Sequence, residues 1–305
     1  MKKWSRNEDL NAGAAEPGLA AVVAAYNRPR ELRLALEGYR RQSFFRNHHQ
    51  EFQLILADDG SGPEVERTFS EFSDQVSFPT LYLRQEDRGW GKLRMLNRAV
   101  LECRADRVVF ADADCIPHRH FLLSHFQDCG EDAVACGRRV DLTESVSRAL
   151  TAEDVRGGAV ESWTWLARNA LKRSVDYGEQ GFYLPRPIAR ALNAFSRNRK
   201  PTLIGSNFSI SRKRLWELNG FDETFTMPGF GEDTDLERRI GQTGLKIEWI
   251  TYRAIQFHLW HPLTPVGDDA LRLAEDLKRK GNGAALKGLR ELEKEIAGEP
   301  ADRRV

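Results

Sequence analysis

Apolar runs alternate with stretches of helical period through the first half of the chain. Leu19–Tyr26 is apolar throughout and ends at Asn27-Arg28-Pro29, and Pro29 suits a first helical position, where its missing N–H removes no bond. Leu32, Ala35, Leu36 and Tyr39 then recur on one helical face. Phe52–Ala57 is a second run, stopped by Asp58-Asp59-Gly60-Ser61-Gly62, and a helix near Glu64–Phe72 leads to a third strand at Thr80–Arg84. A helix over Lys92–Arg104 precedes a fourth strand, Arg107–Ala111. This alternation predicts an α/β fold with a mostly parallel sheet covered by helices on both faces. Sites in such sheets lie beyond the carboxyl ends of the strands. Polar residues gather there: Asn27 after the first strand, Asp58 and Asp59 after the second, Asp112 and Asp114 after the fourth.

The second half is less regular. Leu150–Lys172 reads as largely helical despite Gly157-Gly158. Tyr177–Pro201 is rich in Arg, Gly and Pro, which fits a loop over a site or a solvated connector. Asp268–Ile296 reads as a charged helical tail broken at Gly281-Asn282-Gly283. The expected organisation is a flexible segment at 1–17, a main α/β domain at 18–262 split near residue 130, and a helical tail at 263–305.

Composition narrows the function. Lys+Arg (46) nearly balances Asp+Glu (45), which offers no argument for nucleic-acid binding. The four cysteines form no C-x-x-C pair, and a chain of 305 residues buries a core without disulfides, so they read as reduced packing residues. No run approaches the roughly 18–20 apolar residues of a membrane span, so the expectation is a cytoplasmic protein, soluble or peripheral at a membrane. There is no G-x-G-x-x-G after a strand and no G-x-x-x-x-G-K-[ST], against a dinucleotide-binding dehydrogenase and a P-loop enzyme.

Three clusters carry candidate chemistry. In Val108-Val109-Phe110-Ala111-Asp112-Ala113-Asp114 two carboxylates end an apolar strand, where a cation or hydrogen bonds must satisfy them. Hard oxygen ligands suit Mg²⁺ or Mn²⁺; taken alone, the pair fits an Asp-rich surface turn equally well. The run Gly229-Phe230-Gly231-Glu232-Asp233-Thr234-Asp235 sets acids beside glycines that let the backbone enter a crowded pocket. A carboxylate there can take a proton from an attacking hydroxyl, or the acids simply favour a helix N-terminus. In Phe257-His258-Leu259-Trp260-His261-Pro262 two imidazoles lie three residues apart, as packing residues or as metal ligands.

Together these residues resemble glycosyltransferase family 2, with a GT-A fold, over about residues 18 to 262. The family's elements occur in order: Ala25-Tyr26-Asn27-Arg28-Pro29, Ala57-Asp58-Asp59-Gly60-Ser61, Gly91-Lys92-Leu93-Arg94-Met95-Leu96-Asn97, Asp112-Ala113-Asp114, Gly220-Phe221-Asp222-Glu223 and Gly231-Glu232-Asp233. Gly220–Arg239 looks like the C-terminal segment of galactosyltransferase-type enzymes. The resemblance implies that a nucleotide-sugar, expected to be UDP-linked, meets Ala25, Tyr26, Arg28, Asp58, Asp59, Lys92, Asn97, Asp112 and Ala113. It implies that Asp114 binds Mn²⁺ or Mg²⁺ with His258, His261 being the competing ligand. Asp233, with Glu232 beside it, would be the catalytic carboxylate of an inverting transfer to a saccharide or lipid-linked saccharide. A sugar nucleotidyltransferase is the first rival, but Tyr26-Asn27-Arg28-Pro29 stands where its Gly-rich basic loop belongs. A non-catalytic binding module is the second, and the intact Asp112, Asp114, Asp233 set argues against it. Among the less specific residues, Trp90 reads equally as a donor contact or a loop anchor. Trp163 and Trp165 read as core, and Arg186, Arg190 and Arg199 as solvated charge.

Overall fold

In a sheet covered on both faces each strand buries every position, and its alternate residues feed two different cores. The computed structural model, which describes residues 2–6, 17–48, 52–128, 130, 132–195, 202–227, 232–262 and 268–298, is built on this rule. Its strands are β1 (Lys2–Arg6), β2 (Leu19–Ala25), β3 (Phe52–Asp58), β4 (Thr80–Arg84), β5 (Arg107–Asp112), β6 (Cys115–Pro117), β7 (Ala133–Cys136), β8 (Arg138–Leu142), β9 (Val175–Asp176), β10 (Phe208–Ser211), β11 (Lys246–Trp249) and β12 (Ile255–His258). Its helices are α1 (Pro29–Arg40), α2 (Pro63–Ser73), α3 (Lys92–Glu102), α4 (Phe121–Gln127), α5 (Glu144–Ala149), α6 (Ala152–Gly157), α7 (Trp163–Leu171), α8 (Arg186–Phe195), α9 (Arg212–Glu217), α10 (Glu232–Thr243), α11 (Asp268–Lys280) and α12 (Leu289–Gly298).

The main sheet has the order β1-β4-β3-β2-β5-β10-β7-β11. Its centre is parallel, β4-β3-β2-β5, while β10 runs antiparallel between β5 and β7. Along β2, Leu19, Ala21, Val23 and Ala25 join the core under α1, α2 and α4. Ala20, Val22 and Ala24 join the opposite core under α3, α9 and α10. Removing each large apolar side chain from water is worth about 1.5–3 kcal/mol, so neither face can be left uncovered.

A second sheet, β6-β12-β8-β9, begins where β5 ends. Only Ala113 and Asp114 separate β5 from β6, so Asp112-Ala113-Asp114 is the corner between the two sheets. β12 pairs with both β6 and β8, in a register that sets His258 opposite Cys115 and Asp141. That pairing carries the end of β12 to the corner.

Three segments differ from expectation. Lys2–Arg6, expected to be flexible, is an edge strand antiparallel to β4, with Trp4 stacked on Tyr82 at 5.3 Å. Its charged sequence hides this because Lys2 and Lys3 point to Glu66 and Glu102. The region from 150 to 172 is largely helical as expected, but in pieces: α6, a 3₁₀ turn at Ala159–Glu161 and α7, divided at Gly158, which lies in the left-handed region at φ 80°. Trp163 is exposed rather than part of the core, with Phe182 against its ring. The tail is helical as expected, but it is docked: Leu277, Leu289 and Leu292 are buried, and Leu289 lies in the α3-side core. Cys103, Cys115 and Cys136 are free and buried, as packing residues should be. Among the described residues no helix is long and apolar enough to cross a membrane.

Candidate active site

The corner gathers three groups that suit a cation. Ligand atoms of Asp114, His258 and His261 all lie within 4.8 Å of one another. His258 Nε2 is 3.8 Å from Asp114 Oδ1, and His261 Nε2 is 3.5 Å from Asp114 Oδ2. The other nitrogen of each ring has an acceptor. His258 Nδ1 lies 3.0 Å from Asp141 Oδ1, and His261 Nδ1 lies 2.9 Å from the Pro262 carbonyl oxygen. A neutral ring that gives its Nδ1 proton to this acceptor would turn its Nε2 lone pair toward Asp114, as a metal ligand requires. Two lone pairs facing a carboxylate repel unless positive charge sits among them. One cation is already present: Arg28 Nη1 donates to Asp114 Oδ2 at 2.5 Å.

Beside this corner opens a cavity of about 470 Å³, within the usual range for ligand pockets. It is lined by Ala25, Tyr26 and Arg28 after β2, Asp59 after β3, Trp90 and Lys92 at the start of α3, and Asp112-Ala113-Asp114, with His261 at one side. A cavity of about 860 Å³ between α8 and β11 is larger but shares none of these residues. The walls are charged and partly paired. Lys92 Nζ is 2.9 Å from Asp112 Oδ1; burial pushes the Asp112 carboxyl up, yet Lys92 and its other cationic neighbours outweigh this and hold it below the ordinary range. At Asp141, too, burial is outweighed by the His258 hydrogen bond and by Arg139. Asp59 is the opposite case. Burial raises its carboxyl, and hydrogen bonds from Gly91 N (2.8 Å) and Gln85 Nε2 (2.5 Å) offset this only in part. Gly91 fits because it has no side chain: a Cβ there would lie 2.8 Å from Asp59 Oδ1. Tyr26 is half-exposed, and its hydroxyl donates to Asp87.

Two residues expected at the nucleotide lie elsewhere. Asp58 is fully buried, accepting from Ser61 N at 2.8 Å and from the Tyr82 hydroxyl at 2.6 Å, so it ties the turn after β3 to β4. Asn97 is fully buried too. Its side chain donates to the Phe221 carbonyl and accepts from Phe221 N, clamping the Gly220–Glu223 turn to α3. The resemblance implied both, but their side chains point away from the residues that line the cavity and are held by other parts of the fold. Asp233 stands at the start of α10, accepting from Gly205 N at 3.3 Å and Thr234 N at 2.8 Å; it is not among the residues lining the cavity. The side chain of Glu232 and residues 229–231 lie outside the described residues. Sequence reasoning missed Asp141, Gln85 and Asp87. Asp141 had one available signal, an acid inside the strand Arg-Arg-Val-Asp-Leu.

Comparison with known proteins places the whole chain. Residues 20–218 match the family described as glycosyl transferase family 2. The chain belongs to glycosyltransferase family 2. Residues 186–262 also match the family described as the N-terminal domain of galactosyltransferase. A chondroitin synthase of Escherichia coli is 25% identical over 235 residues, covering 74% of this chain and 32% of that protein. The chain thus spans about a third of that relative's length. Among solved structures, a mannosyltransferase from Pyrobaculum calidifontis in complex with GDP-Man and Mn²⁺ superimposes with a TM-score of 0.52 at 15% identity, covering 92% of this chain and 70% of that one. Staphylococcus aureus TarS with UDP-GlcNAc gives 0.55 at 13% identity, over 92% and 70% of the two chains. GalNAc-T7 with UDP, GalNAc and Mn²⁺ gives 0.54 at 13%, over 93% and 57%. At such identities the likeness establishes the fold, which is GT-A. For this family 2 member, the Lys92–Asn97 helix and the Asp112–Asp114 corner are therefore parts of one scaffold, with the cavity at the carboxyl ends of its parallel strands.

Proposed function

We propose that the protein is an inverting, divalent-metal-dependent glycosyltransferase that moves a sugar from a UDP-sugar to a hydroxyl of a saccharide acceptor. The observation that carries this reading is the convergence of Asp114, His258 and His261 beside the 470 Å³ cavity, which Asp114 and His261 also line. One carboxylate with two imidazole nitrogens suits Mn²⁺ better than Mg²⁺, which favours oxygen-only sets. A bound ion would neutralise charge on the departing nucleotide diphosphate. The rest falls to the protein. Tyr26, Asp59 and Trp90 frame the base, with the partly buried Asp59 carboxylate as an acceptor for its N–H. Lys92 holds Asp112 in place beside the ribose. Asp233 takes the acceptor's proton as its oxygen attacks the anomeric carbon from the face opposite the nucleotide. The GDP-Man and UDP-GlcNAc complexes of the structural neighbours support a nucleotide-sugar donor, and the UDP-GlcNAc complex favours a UDP-linked one.

The test is release of UDP from a panel of UDP-sugars, with and without Mn²⁺. Wild type should hydrolyse or transfer at least one donor only with metal. Asp114→Ala should abolish both Mn²⁺ binding and turnover while the protein stays folded. Metal-independent turnover in Asp114→Ala would remove the corner from the chemistry.

A further inference from the structure

The Arg28–Asp114 contact is hard to reconcile with a divalent ion at the same carboxylate. Arg28 Nη1 lies 2.5 Å from Asp114 Oδ2, the oxygen that also faces His261 Nε2. An ion held by Asp114 and the two imidazoles would stand beside the guanidinium, and like charges so close repel strongly in a partly buried site. We propose that Arg28 is a displaceable counter-cation: it holds Asp114 until a divalent ion arrives, then moves to the diphosphate of the donor. The inference rests on the metal reading above and adds a role for a residue that does not itself ligate the metal.

Three features make the exchange feasible. The Arg28 side chain is 36% exposed while that of Asp114 is 11% exposed, so the arginine is the partner free to leave. Its backbone is anchored and need not move. Asn27, at φ 48°, donates its N–H to Ser61 Oγ at 2.9 Å and accepts from Gly62 N with its side chain, which ties this loop to the turn after β3. Finally, Arg28 already lines the cavity that Tyr26, Asp59 and Trp90 frame, and a guanidinium fork matches phosphate oxygens better than any other side chain. Lys92 is a useful contrast. It pairs with Asp112, which is not part of the three-residue cluster.

Two consequences follow. Metal affinity in the absence of donor is weaker than Asp114, His258 and His261 alone would give, because the ion must first displace a cation. Donor and metal also promote each other's binding, since each favours the swung-out arginine, and by linkage the coupling is the same in both directions.

The experiment titrates Mn²⁺ into the full chain, Arg28→Met and Arg28→Lys, without nucleotide and with saturating UDP, read by calorimetry and by the EPR signal of free Mn²⁺. Without UDP, Arg28→Met should bind Mn²⁺ about tenfold more tightly than wild type, a size typical of coupled sites. Its gain in Mn²⁺ affinity on adding UDP should shrink, and Arg28→Lys should fall between the two. Equal or weaker Mn²⁺ binding by a folded Arg28→Met, with wild type binding normally, overturns the exchange and leaves the metal site standing. Absence of Mn²⁺ binding in all three proteins overturns the metal site itself, and the exchange with it.

Discussion

Asp141 is not among the residues lining the cavity at the corner, yet its removal should be felt at the metal. Its carboxylate lies 3.0 Å from His258 Nδ1, the partner that would hold a proton there and free Nε2 for a metal. Asp141→Asn preserves size and removes the charge, and outer partners of this kind are worth about 10–100-fold in metal affinity. The expected result, measured by Mn²⁺ titration, is a loss in that range with an unchanged circular dichroism spectrum. Asp233→Asn should behave in the opposite way. Mn²⁺ and UDP should bind as before, while kcat falls by roughly 10²–10⁴, the usual contribution of a general base. Near-native turnover in Asp233→Asn would remove it as the base. At this scale Asp112-Ala113-Asp114 and His258-Leu259-Trp260-His261 were legible because charged or imidazole groups bounded by apolar strands need a reason to be there. Asp58 and Asn97 were not. Their types suited the nucleotide, and only the fold reveals that the Tyr82 hydroxyl and the Phe221 backbone already occupy them.

Elements of the first half could be read because parallel strands buried on both faces are unbroken apolar runs. The expected Thr80–Arg84 matches β4 end for end, and β2, β3 and β5 differ only by a residue at their carboxyl ends. The chain beyond β5 resisted because β6, β7, β8, β9, β11 and β12 have only two to five residues each, too few to display a period. β1 resisted for another reason: an edge strand is specified by a partner far along the chain. The α4 region carries a prediction of its own. His125 on α4 is fully buried between Ser209 Oγ and Asn207 Oδ1, and burial lowers its pKa to about 3. His118, just before α4, is buried as well and lowered to about 3. A histidine depressed in the folded state binds protons better when unfolded, where its pKa is about 6.5. Its contribution to stability is therefore complete above pH 6.5 and declines as pH falls from there toward the folded value. Each such histidine removes up to about 1.4 kcal/mol per pH unit in that window. The melting temperature should fall clearly between pH 7 and pH 5, well above the range where carboxylates titrate. His125→Asn should lower stability at pH 7 but flatten the slope; an unchanged slope would show that this imidazole protonates without unfolding.

At the scale of the whole molecule, the C-terminal helices pack against the turn that precedes α10. Asn219 Nδ2 donates to Glu291 Oε2 at 2.8 Å and to the Ala285 carbonyl at 3.0 Å, and Leu286 N donates to Asp222 Oδ2. Gly220, at φ 70°, is wedged between Asn97 and Leu289 so closely that a Cβ would meet Leu289 Cγ at 2.6 Å. Arg94 on α3 closes the same junction through Glu295. The turn from Asn219 to Glu223 is thus gripped by α3 on one side and by the start of α12 on the other, and it leads towards the α10 segment that carries Asp233. Leu289→Ala deletes a fully buried side chain at this junction, which should cost about 2–5 kcal/mol of unfolding free energy. If the tail only shielded apolar surface, the loss would appear in stability alone. A buttress predicts more: at a temperature where Leu289→Ala is fully folded, kcat should fall while Mn²⁺ and UDP affinities stay at wild-type values, because the corner and cavity lie at the ends of β2, β3 and β5 and do not touch α12. Chemical denaturation and steady-state kinetics on the same preparation separate the two, and a variant with reduced stability but native kcat would leave the C-terminal helices with a packing role only.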